Sequence, residues 1–305
     1  MVELFQKTDI DFVGKRFIFF IISGLAVLLG IVTLIQMSRG PGGGVNMGVD
    51  FAGGTAIALK FQKPIGIEEA RKILSRGGLS DAELQAVVSE QKLLVRIKKA
   101  GGGKTDARVS ELFSKSLPEN SFVVESSTEI GPKIGQKLQK DALLAISLSM
   151  LGIILYIAFR FEFRFGVAAV IATFHDVLVI LGIFYLLDKE ITLLFLTALL
   201  TIAGYSLSDT VVVFDRIREN LRTKKRELLP IVINRSINEV LARTFNTSFT
   251  TLLAVGTLFL FGGEVIHDFA LAMVLGVIVG TYSSWFIASP LLMLLKHEAP
   301  VFKKT

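Results

Sequence analysis

Long, charge-poor apolar runs recur along this chain, and one region of mixed polar and apolar pattern interrupts them. Phe17–Met37 (FIFFIISGLAVLLGIVTLIQM) carries no charge and is long enough for a helix to cross a hydrocarbon core of about 30 Å. It exceeds the apolar stretch of a signal peptide, and the SRGPGGG that follows offers no small-residue cleavage site, so it reads as a retained anchor. Further runs cover Ala142–Phe159, Phe165–Leu187, Ile191–Phe214, Phe245–Phe261 and Ile266–Leu295. The expectation is an α-helical polytopic membrane protein with six transmembrane helices. A soluble fold would not need so many charge-poor runs of spanning length.

Between the first two runs, residues 38–140 have the alternation of a water-soluble α+β domain. After the glycine-rich RGPGGG, Val45–Gln62 reads as an extended segment in which GVDFAGGT makes a bulge or tight turn. Ile67–Arg76 reads as a helix stopped by Gly77 and Gly78. Leu84–Ser89 and Lys92–Lys98 read as paired strands, Lys104–Ser116 as a second helix and Ser121–Ser127 as a last strand. The order β-α-β-β-α-β predicts a ferredoxin-like domain with one sheet face open. Lys98, Lys99 and Lys104 around AGGG lack the spacing of a phosphate-binding loop.

Composition and charge refine this picture. The 305 residues are 51% hydrophobic and 20% charged, and no cysteine is present, which excludes disulfides and thiolate metal sites. The net charge of +6 is explained by its location. Lys7, Lys15 and Arg16 precede the first span, Arg160 and Arg164 flank the turn after the second, and Lys296, Lys303 and Lys304 follow the sixth. The connection 215–243 adds Arg216, Arg218, Arg222, Lys224, Lys225, Arg226, Arg235 and Arg243, whereas the opposite connections are only DKE and GGE. By the positive-inside rule both termini and the 215–243 loop are cytoplasmic and residues 38–140 are extracytoplasmic. The domain plan is therefore 1–37 for the N-terminus and first helix, 38–140 for the external domain, 141–295 for helices two to six and 296–305 for a tail. The basic connection reads as an amphipathic elbow at the lipid surface. It carries no aromatic stacking platform, which argues against nucleic acid.

Ionisable groups within the apolar runs are the candidate machinery. His175 and Asp176 lie roughly 15 Å along the third helix from Phe165, a depth that penalises charge and favours a partner or a water-lined cavity. As sequence neighbours they project about 100° apart, so they are not expected to act as one unit. Thr201, Tyr205 and Asp209 follow at i,i+4 spacing in the fourth helix, near Ser206, Ser208 and Thr210. Arg243 opens the fifth helix ahead of Asn246, Thr247, Ser248, Thr250 and Thr251, and a reversible Asp209–Arg243 pair would couple proton passage to a helix shift. Ala272, Gly276, Gly280, Ser283 and Ser284 in the sixth span permit close helix packing. Asp176 and Asp209 differ in depth and Ser206 has no evident catalytic partner in sequence, so an intramembrane protease is disfavoured. No catalytic, cofactor-binding or metal-binding residues are expected.

The motifs GVDFAGGT (48–55), HDV (175–177), GYSLSDTVVVFDRIREN (204–220), SINEVLART (236–244) and GTYSSWFIASP (280–290) resemble the SecD/SecF family, relatives of the proton-driven RND transporters. On its SecF side, the resemblance implies a six-span, RND-like half bundle in the cytoplasmic (inner) membrane. Such a half pairs with SecD, associates with the SecYEG channel, has YajC as a further candidate partner and helps unfolded preprotein across the membrane, with protons as coupling ion. The family's functional acid falls on Asp209 and its functional arginine on Arg243. Where the family usually has Asn before that acid, this chain has Ser208. From their depth in the third span, Asp176 and His175 are expected to join the same proton route. GVDFAGGT matches the family's D-F-x-G-G signature, which implies a structural hinge at Asp50, Gly53 and Gly54. A translocon scaffold, or half of an RND-like exporter, are the rival readings.

Overall fold

A computed structural model of the chain describes residues 8–39, 44–80, 82–87, 91–97, 105–223 and 227–295. Lys7, Lys98, Lys99, Lys104, Lys224, Lys225, Arg226, Lys296, Lys303 and Lys304 lie outside the described residues, as does part of the RGPGGG stretch. Two compact units emerge, one of residues 47–144 and one that combines 1–46 with 145–305.

In the first unit, α2 (Val49–Ala52) precedes β1 (Gly54–Phe61), α3 (Ile67–Arg76), β2 (Glu83–Val87), β3 (Lys92–Ile97), α4 (Thr105–Ser116) and β4 (Phe122–Ile130). The sheet is antiparallel throughout, in the order β2-β3-β1-β4. Alternation sets its inner face: Leu93, Val95 and Ile97 of β3 and Ile57, Leu59 and Phe61 of β1 are buried with Ala70, Ile73 and Leu74 of α3 and Val109 and Phe113 of α4. Glu68 and Glu69 in the first turn of α3 and Arg76 in its last complement the helix dipole. Gly78 takes φ +76° past its end, where Leu79 N–H reaches the Leu74 carbonyl at 2.9 Å. On the opposite face Lys92 and Lys60 approach Glu125 at 3.0 and 3.7 Å, and most of edge strand β4 is exposed.

GVDFAGGT departs from the extended reading. Its Val49–Ala52 forms one helical turn, and Gly53 (φ +73°) and Gly54 (φ +138°) then turn the chain into β1. Four residues are too few for either periodicity to declare itself. Gln139 Nε2 donates to the Phe51 carbonyl at 2.9 Å, and a Cβ on Gly135 would meet that same oxygen at 2.9 Å.

Among the described residues six helices are long and apolar enough to span a membrane: α1 (Arg16–Ser38), α5 (Pro132–Arg160), α6 (Phe163–Leu186), α7 (Leu193–Thr223), α8 (Leu229–Phe261) and a last one built from α9 (Gly263–Ser283), a π turn (Ser284–Ala288) and α10 (Ser289–Leu294). All belong to the second unit except residues 132–144 of α5. Its core gathers Ile157, Phe161, Phe165, Ala169, Val213, Phe214, Ile237, Leu241 and Ala288. Helices α6, α7 and α9 form the buried centre. There the small residues of α9 are seated on α7: a Cβ on Gly276 would lie 2.3 Å from Ile202, and one on Gly280 would lie 3.0 Å from Ser206.

At the crossing of α1 and α6 the backbones touch: a Cβ on Gly30 would lie 2.1 Å from the Leu178 carbonyl oxygen, and one on Gly182 would lie 2.9 Å from the Gly30 nitrogen. Gly30→Ala therefore forces the helices apart and destabilises the bundle by about 2 kcal/mol or more. Thermal unfolding of the detergent-solubilised protein by near-UV dichroism checks this. An unchanged transition temperature would contradict the close approach.

The connection expected to lie as an elbow on the lipid surface instead continues two spans: α7 runs on to Thr223 and α8 begins at Leu229. The extensions face each other through polar pairs. Arg216 bridges Glu239 and Glu219 at 2.7 Å each, and Asn220 Nδ2 donates to Ser236 at 2.9 Å and Glu239 at 2.6 Å. Mutual pairing satisfies these polar groups without a lipid surface. Ahead of α1, the backbone N–H groups of Phe12 and Ile10 donate to Asn234 and Asn238 of α8 at 2.8 and 2.9 Å, and Asn238 returns a bond to the Ile10 carbonyl. Asn234→Ala leaves the partly buried Phe12 N–H without its acceptor, a cost of about 1–2 kcal/mol. Faster proteolysis within residues 8–15 is the expected readout, and an unchanged cleavage rate would contradict the docking.

Candidate functional site

The polar residues inside the bundle converge where α6, α7 and the π turn meet. Asp176 is fully buried and Asp209 is 6% exposed. Asp176 Oδ1 accepts from His175 Nδ1 at 2.8 Å, while its Oδ2 accepts from Ser206 of α7 and, at 2.8 Å, from Ser283 of α9. Asp209 Oδ2 accepts from Ser284 at 3.1 Å. Consecutive serines at the start of the π turn thus touch both acids, one on α6 and one on α7. Among the described residues no lysine or arginine is bonded to either carboxylate.

The expectation that His175 and Asp176 act apart is corrected by this arrangement. The 100° offset separates Cβ directions, but both side chains are long enough to curl along the helix and meet, and Asp176 is the histidine's hydrogen-bond partner. His175 Nε2 is buried without a hydrogen-bond partner among the described residues. The expected stripe of Thr201, Tyr205 and Asp209 also divides. Thr201 is exposed and bonds back to the Thr197 carbonyl at 2.8 Å, whereas the inward line runs through Ser206, Asp209 and Thr210. Tyr205 donates to Ser248 of α8 at 3.2 Å, and Ser248 and Thr281 share a 2.6 Å bond. Trp285 Nε1 reaches Thr244 at 3.2 Å, so the hydroxyls of α8 also join the bundle. Ser208 faces away from the acids, exposed and bonded to the Gly204 carbonyl at 3.0 Å.

Arg243 is not brought to Asp209. It is exposed and lines a cavity of about 410 Å³ with Val212, Asp215, Arg216, Glu219, Glu239 and Val240. Asp50, Gly53 and Gly54 lie in the other unit, at the turn into β1. Sequence reasoning noted Ser283 and Ser284 only as small packing residues. A hydroxyl beside a run of glycines and alanines was the available signal, but its partners lie 107 and 75 residues away.

Chemically, this centre can take up and hold protons. Two carboxylates and an imidazole sit in an apolar bundle, bonded among the described residues to hydroxyls and to each other, and all three are groups able to bind and release a proton.

Comparison with known proteins agrees with this architecture. Residues 109–298 match the family model described as "Protein export membrane protein SecD/SecF, C-terminal", and residues 41–65 match the "SecD/SecF GG Motif". The chain is 51% identical over 297 residues to protein translocase subunit SecF of Thermodesulfovibrio yellowstonii, covering 97% of each chain. It is 40% identical over 306 residues to SecF of Calditerrivibrio nitroreducens, again covering 97% of each. The crystal structure of SecDF, a translocon-associated membrane protein from Thermus thermophilus, superposes with a TM-score of 0.84 at 35% identity. SecDF in its super-membrane-facing form gives 0.68 at 34%. Both alignments cover 95% of this chain and 39% of the SecDF chain. With the six spans, the external α/β domain and the glycine turn all accounted for, the chain belongs to the SecD/SecF family of protein-export membrane proteins, on its SecF side.

Proposed function

We propose that this auxiliary translocase subunit pairs with SecD and turns proton movement through its bundle into assistance for preprotein export. The observation that carries the reading is the pair of buried carboxylates, Asp176 and Asp209, held by the consecutive Ser283 and Ser284 and, among the described residues, bonded to no lysine or arginine. Asp209 takes and gives the proton, Asp176 with His175 extends the route, and Arg243 is the mobile counter-charge that meets Asp209 in another helix arrangement. Loss of charge on Asp209 shifts a small free-energy gap between two arrangements of the helices. The external domain follows, with Asp50, Gly53 and Gly54 as its hinge.

The β2-β3-β1-β4 order, with two helices packed on one face, supports a ferredoxin-like domain. Basic flanks support cytoplasmic termini, and the organisation is then 1–37, 38–140, 141–295 and 296–305 with the basic connection 215–243 inside. The SecYEG channel and an unfolded preprotein are the expected partners in this reading, with YajC as a further neighbour. Residues 38–140 then lie on the side where preprotein emerges.

The test crosslinks the external domain to a stalled preprotein in vesicles containing SecD and SecYEG, with and without a proton gradient. Gradient-dependent crosslinks are the expected result. Loss of every contact would favour a pure scaffold, and so would neutral variants of Asp209 and Arg243 that assist export normally.

A further inference from the structure

The two serines at the junction of α9 and the π turn each have a choice of acceptor. Ser283 Oγ lies 2.8 Å from Asp176 Oδ2 and 3.1 Å from the Gly280 carbonyl oxygen. Ser284 Oγ lies 3.1 Å from Asp209 Oδ2 and 2.9 Å from the Thr281 carbonyl oxygen. A hydroxyl has one hydrogen and donates it fully to one acceptor at a time. A charged carboxylate competes for that hydrogen more strongly than a neutral carbonyl, and a protonated one competes less, because it brings a donor of its own. Each serine therefore has two positions, and the protonation of its acid selects between them.

The positions of the two serines are linked because they are adjacent at the start of the π turn, a geometry that recurs at functional sites. The turn is itself held by side chains: Ser289 Oγ donates to the Ser284 carbonyl at 2.8 Å, and Pro290, near the start of α10, supplies no N–H to the turn before it. Ser284 and Ser289 are fully buried and the surroundings are close-packed. A displacement that takes Ser284 off Asp209 is therefore passed on to Ser283.

We propose that Ser283 and Ser284 are positioning residues of the proton site, and that the π turn they begin passes the hydrogen-bonding state of Asp209 to Asp176. This rests on the proton-site reading above and deepens it by naming the link between the two acids. Nearest the two acids, the titratable groups are His175 on α6, Tyr205 on α7 and Tyr282 on α9; towards their ends the helices packed on this turn also carry Arg16 on α1, Arg164 on α6, Asp215 and Arg216 on α7 and Arg243 on α8. Substituting Ser283 leaves all of them in place, but Asp176 also acts on Asp209 through space, so the comparison is repeated in an Asp176→Asn background, where a response at Asp209 travels through the turn and not through a changed charge.

The experiment uses infrared difference spectra of the full chain purified with SecD, in which the Asp209 carboxyl band is the one lost in Asp209→Asn. Ser284→Ala displaces that band directly. Ser283→Ala, which touches Asp176 and not Asp209, is expected to displace it as well, and Ser283→Thr to restore it. In vesicles, Ser283→Ala lowers gradient-driven export about tenfold, the loss of one hydrogen bond to a charged group, and leaves assembly with SecD intact. If Ser283→Ala fails to assemble, Ser283→Cys carries the same comparison with a similar shape and a weak donor. A Ser283 variant that alters the Asp176 band alone overturns the link while leaving the Asp209 reading standing. Wild-type export by Asp209→Asn overturns that reading itself.

Discussion

Vesicles in which Asp209→Asn replaces the native chain, with SecD and the channel present, lose the part of export that depends on the proton gradient by about a hundredfold or more, the scale of losing a positioned proton-transfer group. Asparagine has nearly the same shape as aspartate and keeps an oxygen that accepts from Ser284, so the packing of α7 against the π turn survives. It cannot bind a proton, and the charge difference that selects between helix arrangements is gone. Export that continues without a gradient is unaffected, as is assembly. Asp209→Glu keeps a titratable group but adds a methylene to a buried site, so an intermediate rate is expected. The comparison with and without an uncoupler decides the matter, and equal sensitivity of Asp209→Asn and wild type to the uncoupler would sink the proton role.

Phe113→Ala has the largest expected effect on stability. Phe113 is fully buried beneath the sheet and meets the rings of Phe61 at 5.6 Å and Phe122 at 6.3 Å, both edge-on. Truncation removes the ring from a site closed by two strands and a helix, at a cost of about 3–5 kcal/mol. Against a domain stability of about 5–15 kcal/mol, that raises the unfolded population by about a hundredfold or more. Protease added on the side of the external domain then cuts within residues 54–130 correspondingly faster in the intact membrane-embedded chain. Phe113→Leu keeps most of the volume and costs about 1.5 kcal/mol or less. Equal cleavage of Phe113→Ala and wild type would show that this ring cluster is not what holds the domain.

The positions of the spans were legible because a lipid-crossing helix must be apolar for its whole passage, a requirement that charge-free runs display directly. Their lengths were less so. Arg216, Glu219, Asn220 and Glu239 look like solvated loop chemistry in sequence, yet Arg216 and Asn220 of α7 pair with Glu239 of α8 across the gap, and Arg216 holds Glu219 along α7. In the external domain, the alternation in β1 and β3 and the Gly77–Gly78 stop gave correct elements, since each is a local signal. Val49–Ala52 was lost because one helical turn between two glycine-flanked ends has no period to read. Among the candidate residues, depth alone singled out Asp176 and Asp209. What each acid is bonded to was not legible, because Ser206 and Ser283 stand 30 and 107 residues from Asp176 and nothing local marks them as partners. The pairing of His175 with Asp176 is hidden for the opposite reason: neighbours on a helix diverge at Cβ, and only the reach of the two side chains brings them together.

The seating of α7 on α9 limits how these helices can move. Ile202 fills the hollow at Gly276 and Ser206 the hollow at Gly280, so the two helices run in the same direction with one protrusion per turn in each notch. A slide of α7 toward the C-terminal end of α9 has to lift Ile202 over the intervening rim before it drops into the notch at Gly280, four residues or about 6 Å further on. Between these two stops nothing fits well. The interface has the shape of a detent, which resists small continuous drift of α7 along α9.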